Sequence, residues 1–110
     1  MDRPPSAPHA RVLFELTSKR IDDSVKHVLP GYRPIYEVMP DYWTSVHHEF
    51  ETDAGVSTGG SAIAEVWFIN PDAYPGTLWP GRVLNVAEGS RAVGKATIER
   101  VFDPRLAKHD

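Results

Sequence analysis

Hydrophobic and polar positions alternate with a period of two through most of the chain, which is the signature of strands with one buried face. Val12, Phe14 and Leu16 alternate against Arg11, Leu13 and Glu15, predicting a strand from about residue 11 to 16. The polar stretch SKRIDDSVKH then predicts a loop or a single helical turn. A Pro30-Gly31 turn opens GYRPIYEVMP, a short strand rich in β-formers whose limits are set by Pro34 and Pro40. DYWTSVHHEFE reads as an aromatic loop and a further strand, with Val46, His48 and Phe50 pointing partly inward. DAGVSTGGS reads as a mobile connection. The most strand-like segment is AIAEVWFI. Ala62, Ala64, Val66 and Phe68 form one face and Ile63, Glu65, Trp67 and Ile69 the other, so both faces are largely apolar.

After the turn-rich loop NPDAYPGTLWPG, residues 84 to 101 predict a hairpin. Leu84, Val86 and Ala87 are apolar, Glu88-Gly89-Ser90 breaks the run, and Gly89 takes positive φ without a Cβ penalty. In the returning strand, strict alternation sets Val93, Lys95, Thr97, Glu99 and Val101 against Ala92, Gly94, Ala96, Ile98, Arg100 and Phe102. Small residues at 92, 94 and 96 on the apolar face fit a crowded interior or a close strand crossing. About six short strands and no long amphipathic helix predict an all-β, antiparallel barrel or sandwich. Its interior is expected to hold Val12, Phe14, Leu16, Val66, Phe68, Val86 and Ile98.

Composition narrows the class. At 110 residues, 41% hydrophobic and 25% charged, the chain suits one folded domain, expected over residues 9–103 between a flexible, proline-rich tail at 1–8 and a C-terminal tail at 104–110. The absence of cysteine rules out disulfides and thiolate metal sites. No apolar run approaches the length of a membrane-spanning helix and Met1 to Pro8 is no signal peptide, so a soluble cytoplasmic protein with no membrane contact is expected. A net charge of −3 argues against broad phosphate-backbone binding.

The order of GYRPIYEV, DYWTS, VSTGGSAIAEVWFINP and VAEGSRAVGKATIERV resembles the C-terminal β-barrel domain of elongation factor Tu, over roughly residues 10 to 102. The most specific pieces are Gly31-Tyr32-Arg33-Pro34 and Glu88-Gly89-x-Arg91-x-Val93-Gly94. The resemblance implies a closed six-stranded antiparallel β-barrel. It also implies a contact with the T-arm of tRNA at Glu88, Gly89 and Thr44, although Ile35 stands where the factor carries a polar residue. The first loop, SKRIDDSVKHVLP, lacks the factor's glycine-arginine-histidine run, and NPDAYPGTLWPG is longer than its counterpart. In these respects the chain looks more like small stand-alone bacterial proteins built from this one barrel.

No GxxxxGK[ST] loop is present and no nucleophile sits beside a base in a recognisable motif, so neither nucleotide binding nor catalysis is expected, and no cofactor. The carboxylate pairs Asp22-Asp23 and Glu49/Glu51 read as solvated. His47 and Glu49 share a strand face and are the candidate metal ligands, two short of a complete set. Arg33, Arg91, Lys95 and Arg100 could form a basic stripe, or be dispersed partners of Glu37, Glu88 and Glu99. Aromatic side chains with nearby Arg are typical interface anchors, and Trp43, Trp67 and Trp79 join Arg33 and Arg91 as candidates for partner binding. Loop 70 to 81 is the expected cover for the outer apolar face around Trp67, a partner being the alternative. The favoured expectation is a non-catalytic protein-interaction module connected with the translation machinery. A module contacting the tRNA T-arm, and a small-ligand or metal-binding barrel using His47 and Glu49, are the alternatives.

Overall fold

The structure, a computed structural model, describes Pro4 and residues 6–17 and 27–108. Its strands are β1 (Ala10–Leu16), β2 (His27–Val28), β3 (Ile35–Met39), β4 (Tyr42–Phe50), β5 (Val56–Ser57), β6 (Ser61–Phe68), β7 (Val83–Glu88) and β8 (Arg91–Val101). Six of them close into an antiparallel barrel in the order β1-β6-β4-β3-β7-β8, and β2 pairs with β5 as a separate two-stranded piece. Closure leaves no free sheet edge around the cylinder, which is how a small all-β domain protects its backbone from other chains. The barrel interior is filled by the alternate apolar residues, all seven expected ones among them: Val12, Phe14, Leu16, Val66, Phe68, Val86 and Ile98 are each buried. Phe14 anchors an aromatic cluster, lying 5.3 Å from His48, 5.8 Å from Tyr32 and 5.9 Å from Phe50, centroid to centroid.

Several local expectations are corrected. Tyr42 and Trp43 belong to a strand rather than a loop, because Pro40 and Asp41 alone make the turn. Met39 pairs with Tyr42, and Asp41 adopts φ 60° at the second loop position, where Pro40 before it has a fixed φ. The stretch 53–61 carries β5, whose Val56 is buried against Val28 and pairs with it. Residues 18–26 of the first loop, including Asp22-Asp23, lie outside the described residues.

Strict alternation also fails in β8. Ala87 pairs with Ala92 while Val86 pairs with Gly94, so Val93 is an extra residue; Arg11 pairs with Arg100 while Val12 pairs with Ile98, so Glu99 is another. Each bulge resets the side-chain period. Val93 is therefore buried, Ala92 is exposed, and Val101 packs against the core. Gly94 does meet a close crossing: a Cβ there would lie 2.0 Å from the Glu15 carbonyl oxygen.

The first and last described segments pack on the barrel. Leu106 is fully buried, correcting the expectation of a tail from residue 104. Its backbone N–H bonds Asp103, its carbonyl accepts the N–H of Leu78, and the N–H of Lys108 reaches the Leu78 carbonyl. Loop 70–81 is thereby stitched to the chain's last described segment, with Tyr74 and Leu78 in the core. At the other end, His9 is tied into the barrel. Its N–H bonds the Val66 carbonyl, its own carbonyl accepts from Phe102 and Asp103, and its Nδ1 accepts the Phe68 N–H at 2.8 Å. The seam between β3 and β7 is the thinnest join, paired only at Ile35 with Ala87 and Tyr36 with Val86. Beyond those pairs, Val38 and Leu84 close the inside, and Asn85 donates to Glu37 across the outside at 3.1 Å.

Candidate protein-interaction surface

The hairpin tip is a two-residue loop, Gly89-Ser90, between paired Glu88 and Arg91. Gly89 has φ 58°, the conformation for which glycine is the default residue, and nothing lies within 4 Å of a Cβ placed there. Behind the tip, Tyr32 of the Pro-Gly turn donates its hydroxyl to Glu88 Oε2 at 2.6 Å. Burial, and then the hydrogen bond to Glu88, push the Tyr32 phenol far above its ordinary pKa, so it stays a donor across the working pH range. Glu88 is thus tied to the barrel wall, and the carboxylate orients the rim.

Beside the tip, Ile35 of β3 and Trp43 of β4 lie on the outer wall. With Ala87, Gly89, Ser90 and Ala92 they line an open groove of about 350 Å³. Trp43 is 39% exposed. The groove exists because the β8 bulge at Val93 turns Ala92 outward, next to side chains that β3 and β4 place on the same face. Neither Ala92 nor Ile35 was a sequence candidate for binding; an inserted residue in a ladder carries no period-two signal.

Other candidates fall elsewhere. Thr44 points inward and is buried; its hydroxyl donates to the Ile69 carbonyl at 3.2 Å and lies 3.1 Å from the Tyr74 hydroxyl, which also donates to Ile69. Trp67 is buried, its indole N–H donating to the Ser6 carbonyl at 2.9 Å, so the N-terminal segment, rather than loop 70–81, contributes the cover over this ring, while Ile69 on the same face stays exposed. Trp79 is 40% exposed at the far side, with the Arg82 guanidinium 5.0 Å and the Lys108 ammonium 5.1 Å from its ring centroid. Arg33 reaches His47 Nδ1 at 3.4 Å, and His47 Nε2 lies 2.5 Å from Glu49 Oε2, so the two candidate metal ligands bind each other. Among the described residues no group of three or more His, Cys, Asp or Glu side chains could hold a metal.

The basic stripe does not assemble. Arg91 is at the hairpin tip and Arg100 pairs with Arg11 near the other end of β8, roughly 30 Å away at the rise of a strand. Lys95, between them, donates to Asn85 at 2.7 Å.

One polar pair in the core was not foreseen as a pair. His48 is fully buried, with Nδ1 3.2 Å from the carbonyls of both Tyr32 and Val46 and Nε2 2.5 Å from the Tyr36 hydroxyl. Two carbonyl neighbours can only accept, so Nδ1 carries the hydrogen, Nε2 is the acceptor and Tyr36 the donor. Burial lowers the His48 pKa to about 3 and raises that of Tyr36 well above its ordinary value, keeping both neutral. This is a structural pair sealed from solvent.

No helix among the described residues is long and apolar enough to cross a membrane. No protein-family model matches the chain, and no curated protein does either.

Proposed function

We propose that this chain is a non-catalytic module of the kind that forms the C-terminal β-barrel domain of elongation factor Tu, acting by binding protein partners around the translation machinery. The closed six-stranded antiparallel barrel is the architecture this reading requires. The observation that carries it is the groove at the hairpin tip. Where a T-arm contact would need polar groups, Ile35 and the exposed ring of Trp43 offer apolar surface, and the Thr44 hydroxyl is spent inside the barrel. An aromatic anchor beside a rigid tip suits a protein partner, with Glu88 and Arg91 at the rim for orientation.

The test is capture from a bacterial lysate on immobilised wild-type and Trp43→Ala protein, at about 0.1 M and about 0.5 M salt, with bound protein and RNA both identified. The expected result is a translation protein held at both salt concentrations by the wild type and lost from Trp43→Ala. Capture of tRNA that vanishes at the higher salt and is indifferent to Trp43 would instead favour the RNA-binding module, since phosphate contacts are salt-sensitive.

A further inference from the structure

Trp67 sits on the outer wall of β6, where a tryptophan should be solvated, yet it is only 5% exposed. Its cover includes Pro4 and Ser6 of the N-terminal segment, whose sequence holds three prolines between positions 4 and 8. The described part of that stretch forms no strand or helix, and the indole donates to the Ser6 carbonyl at 2.9 Å. His47 braces the ring edge-on at 5.7 Å between centroids. An extended proline-containing segment has no internal hydrogen bonds, so its carbonyls stay free to accept from an indole N–H, and its ordering entropy is already low. The Trp67 face already receives a proline-containing segment through one such carbonyl, with the chain bent at Ser6. The fit is incomplete: about 190 Å³ remains open between Pro4 and Ser6 on one side and Arg33, His47, Trp67 and Ile69 on the other.

We propose that the Trp67 face is a docking groove for a proline-containing peptide of a partner protein, and that Pro4 and residues 6–8 form a displaceable cover over it in cis. The indole N–H reads a backbone carbonyl, the ring wall receives a proline, and the unfilled volume accommodates a side chain larger than the cover supplies. Because a tethered ligand competes at high effective concentration, the groove binds weakly in trans until its cover is displaced. This surface is separate from the hairpin groove and does not depend on it.

The indole N–H resonance of Trp67, identified by its loss in Trp67→Phe, reports on the groove in the full-length protein. The probe is the peptide acetyl-DRPPSAP-amide, with acetyl-DRAASAA-amide as control. Two chains are titrated: the wild type, and a Pro4→Gly/Ser6→Gly variant whose cover is less extended. The expected result is a saturable shift of the Trp67 signal by the proline peptide and none by the control. Binding should be at least about tenfold tighter in the variant, the factor expected when a cover that is closed about 90% of the time is released. A Trp67 signal that does not move in either chain at millimolar peptide, or that moves equally with the control, overturns the proposal. So does equal affinity of the two chains, which would mean that the segment is not a competitor. Both chains must keep the dispersed spectrum of the folded barrel, and a variant that lost it is replaced by Pro4→Ala, which leaves the other prolines in place.

Discussion

The buried His48 makes acid stability the sharpest consequence of the core. Its folded-state pKa is lowered to about 3 by burial from an ordinary 6.5. Above pH 6.5 the imidazole is neutral folded or unfolded and contributes no pH dependence. As pH falls below that value the unfolded chain takes up the proton and the folded one does not, so stability is lost. The slope is roughly one and a half kcal/mol per pH unit, which gives a loss of about 3 kcal/mol at pH 4.5 and about 5 kcal/mol once the folded form also protonates. Protonation would also place a hydrogen on Nε2, where Tyr36 now donates, leaving the phenol hydrogen without an acceptor. Urea unfolding of wild type and His48→Gln at pH 7, 6, 5 and 4.5 isolates this term. Carboxylates and His9, whose own pKa is lowered chiefly by burial, contribute equally to both chains. The wild type should lose about 2 to 3 kcal/mol more than His48→Gln between pH 7 and 4.5. Parallel losses would refute the argument. So would a His48 proton resonance titrating near pH 6.5 in the wild type, a measurement that stands even where His48→Gln fails to fold.

Two glycines of the hairpin should separate by the space around them. Gly94→Ala should cost about 3 kcal/mol, because its Cβ meets the Glu15 carbonyl, whereas Gly89→Ala should cost about 1 kcal/mol, for positive φ alone; chemical denaturation of both variants decides. Leu106→Ala should destabilise by about 2–5 kcal/mol, and a thermal midpoint equal to wild type would restore the reading of residues 104–110 as a tail. Glu88→Ala should cost about 1 kcal/mol through the orphaned Tyr32 hydroxyl, and Tyr32→Phe should abolish most of that difference in a double-mutant cycle.

The barrel was legible because its inward residues obey a period that survives without knowledge of the partners: β1 and the buried face of β6 read directly from Val12, Phe14, Leu16, Ala64, Val66 and Phe68. What escaped depended on events outside that period. The bulges at Val93 and Glu99 shift the face on which β8 residues lie, and no local propensity marks an extra residue. Leu106 follows a Pro and two polar residues, so its burial arises from pairing with Leu78, nearly thirty positions away in the chain. Trp67 was a reasonable surface candidate by its place on an outer face, and its burial follows from a proline-rich segment that composition alone assigns to a tail. Thr44 is the clearest case for the site. The resemblance to the elongation factor's barrel implied a tRNA contact there, while the register opposite Tyr36 sends it into the core.

The two-pair join between β3 and β7 turns the cylinder, in kinetic terms, into a curled sheet held by a latch. Its joins at β1–β6, β1–β8 and β7–β8 carry six to seven paired positions each, with β1 and β8 uniting segments 78 to 91 residues apart. Pairings so distant in sequence form slowly, because loop closure must precede their reward. Opening the latch, by contrast, breaks few ladder bonds and leaves the remaining five joins whole. Within the barrel wall, the least costly opening is therefore an unzipping at Ile35–Tyr36 and Val86–Ala87 that bares Val38 and Leu84. Because Ile35 and Ala87 also line the groove beside Trp43, the surface proposed for partner binding lies on the part of the barrel wall that opens most readily.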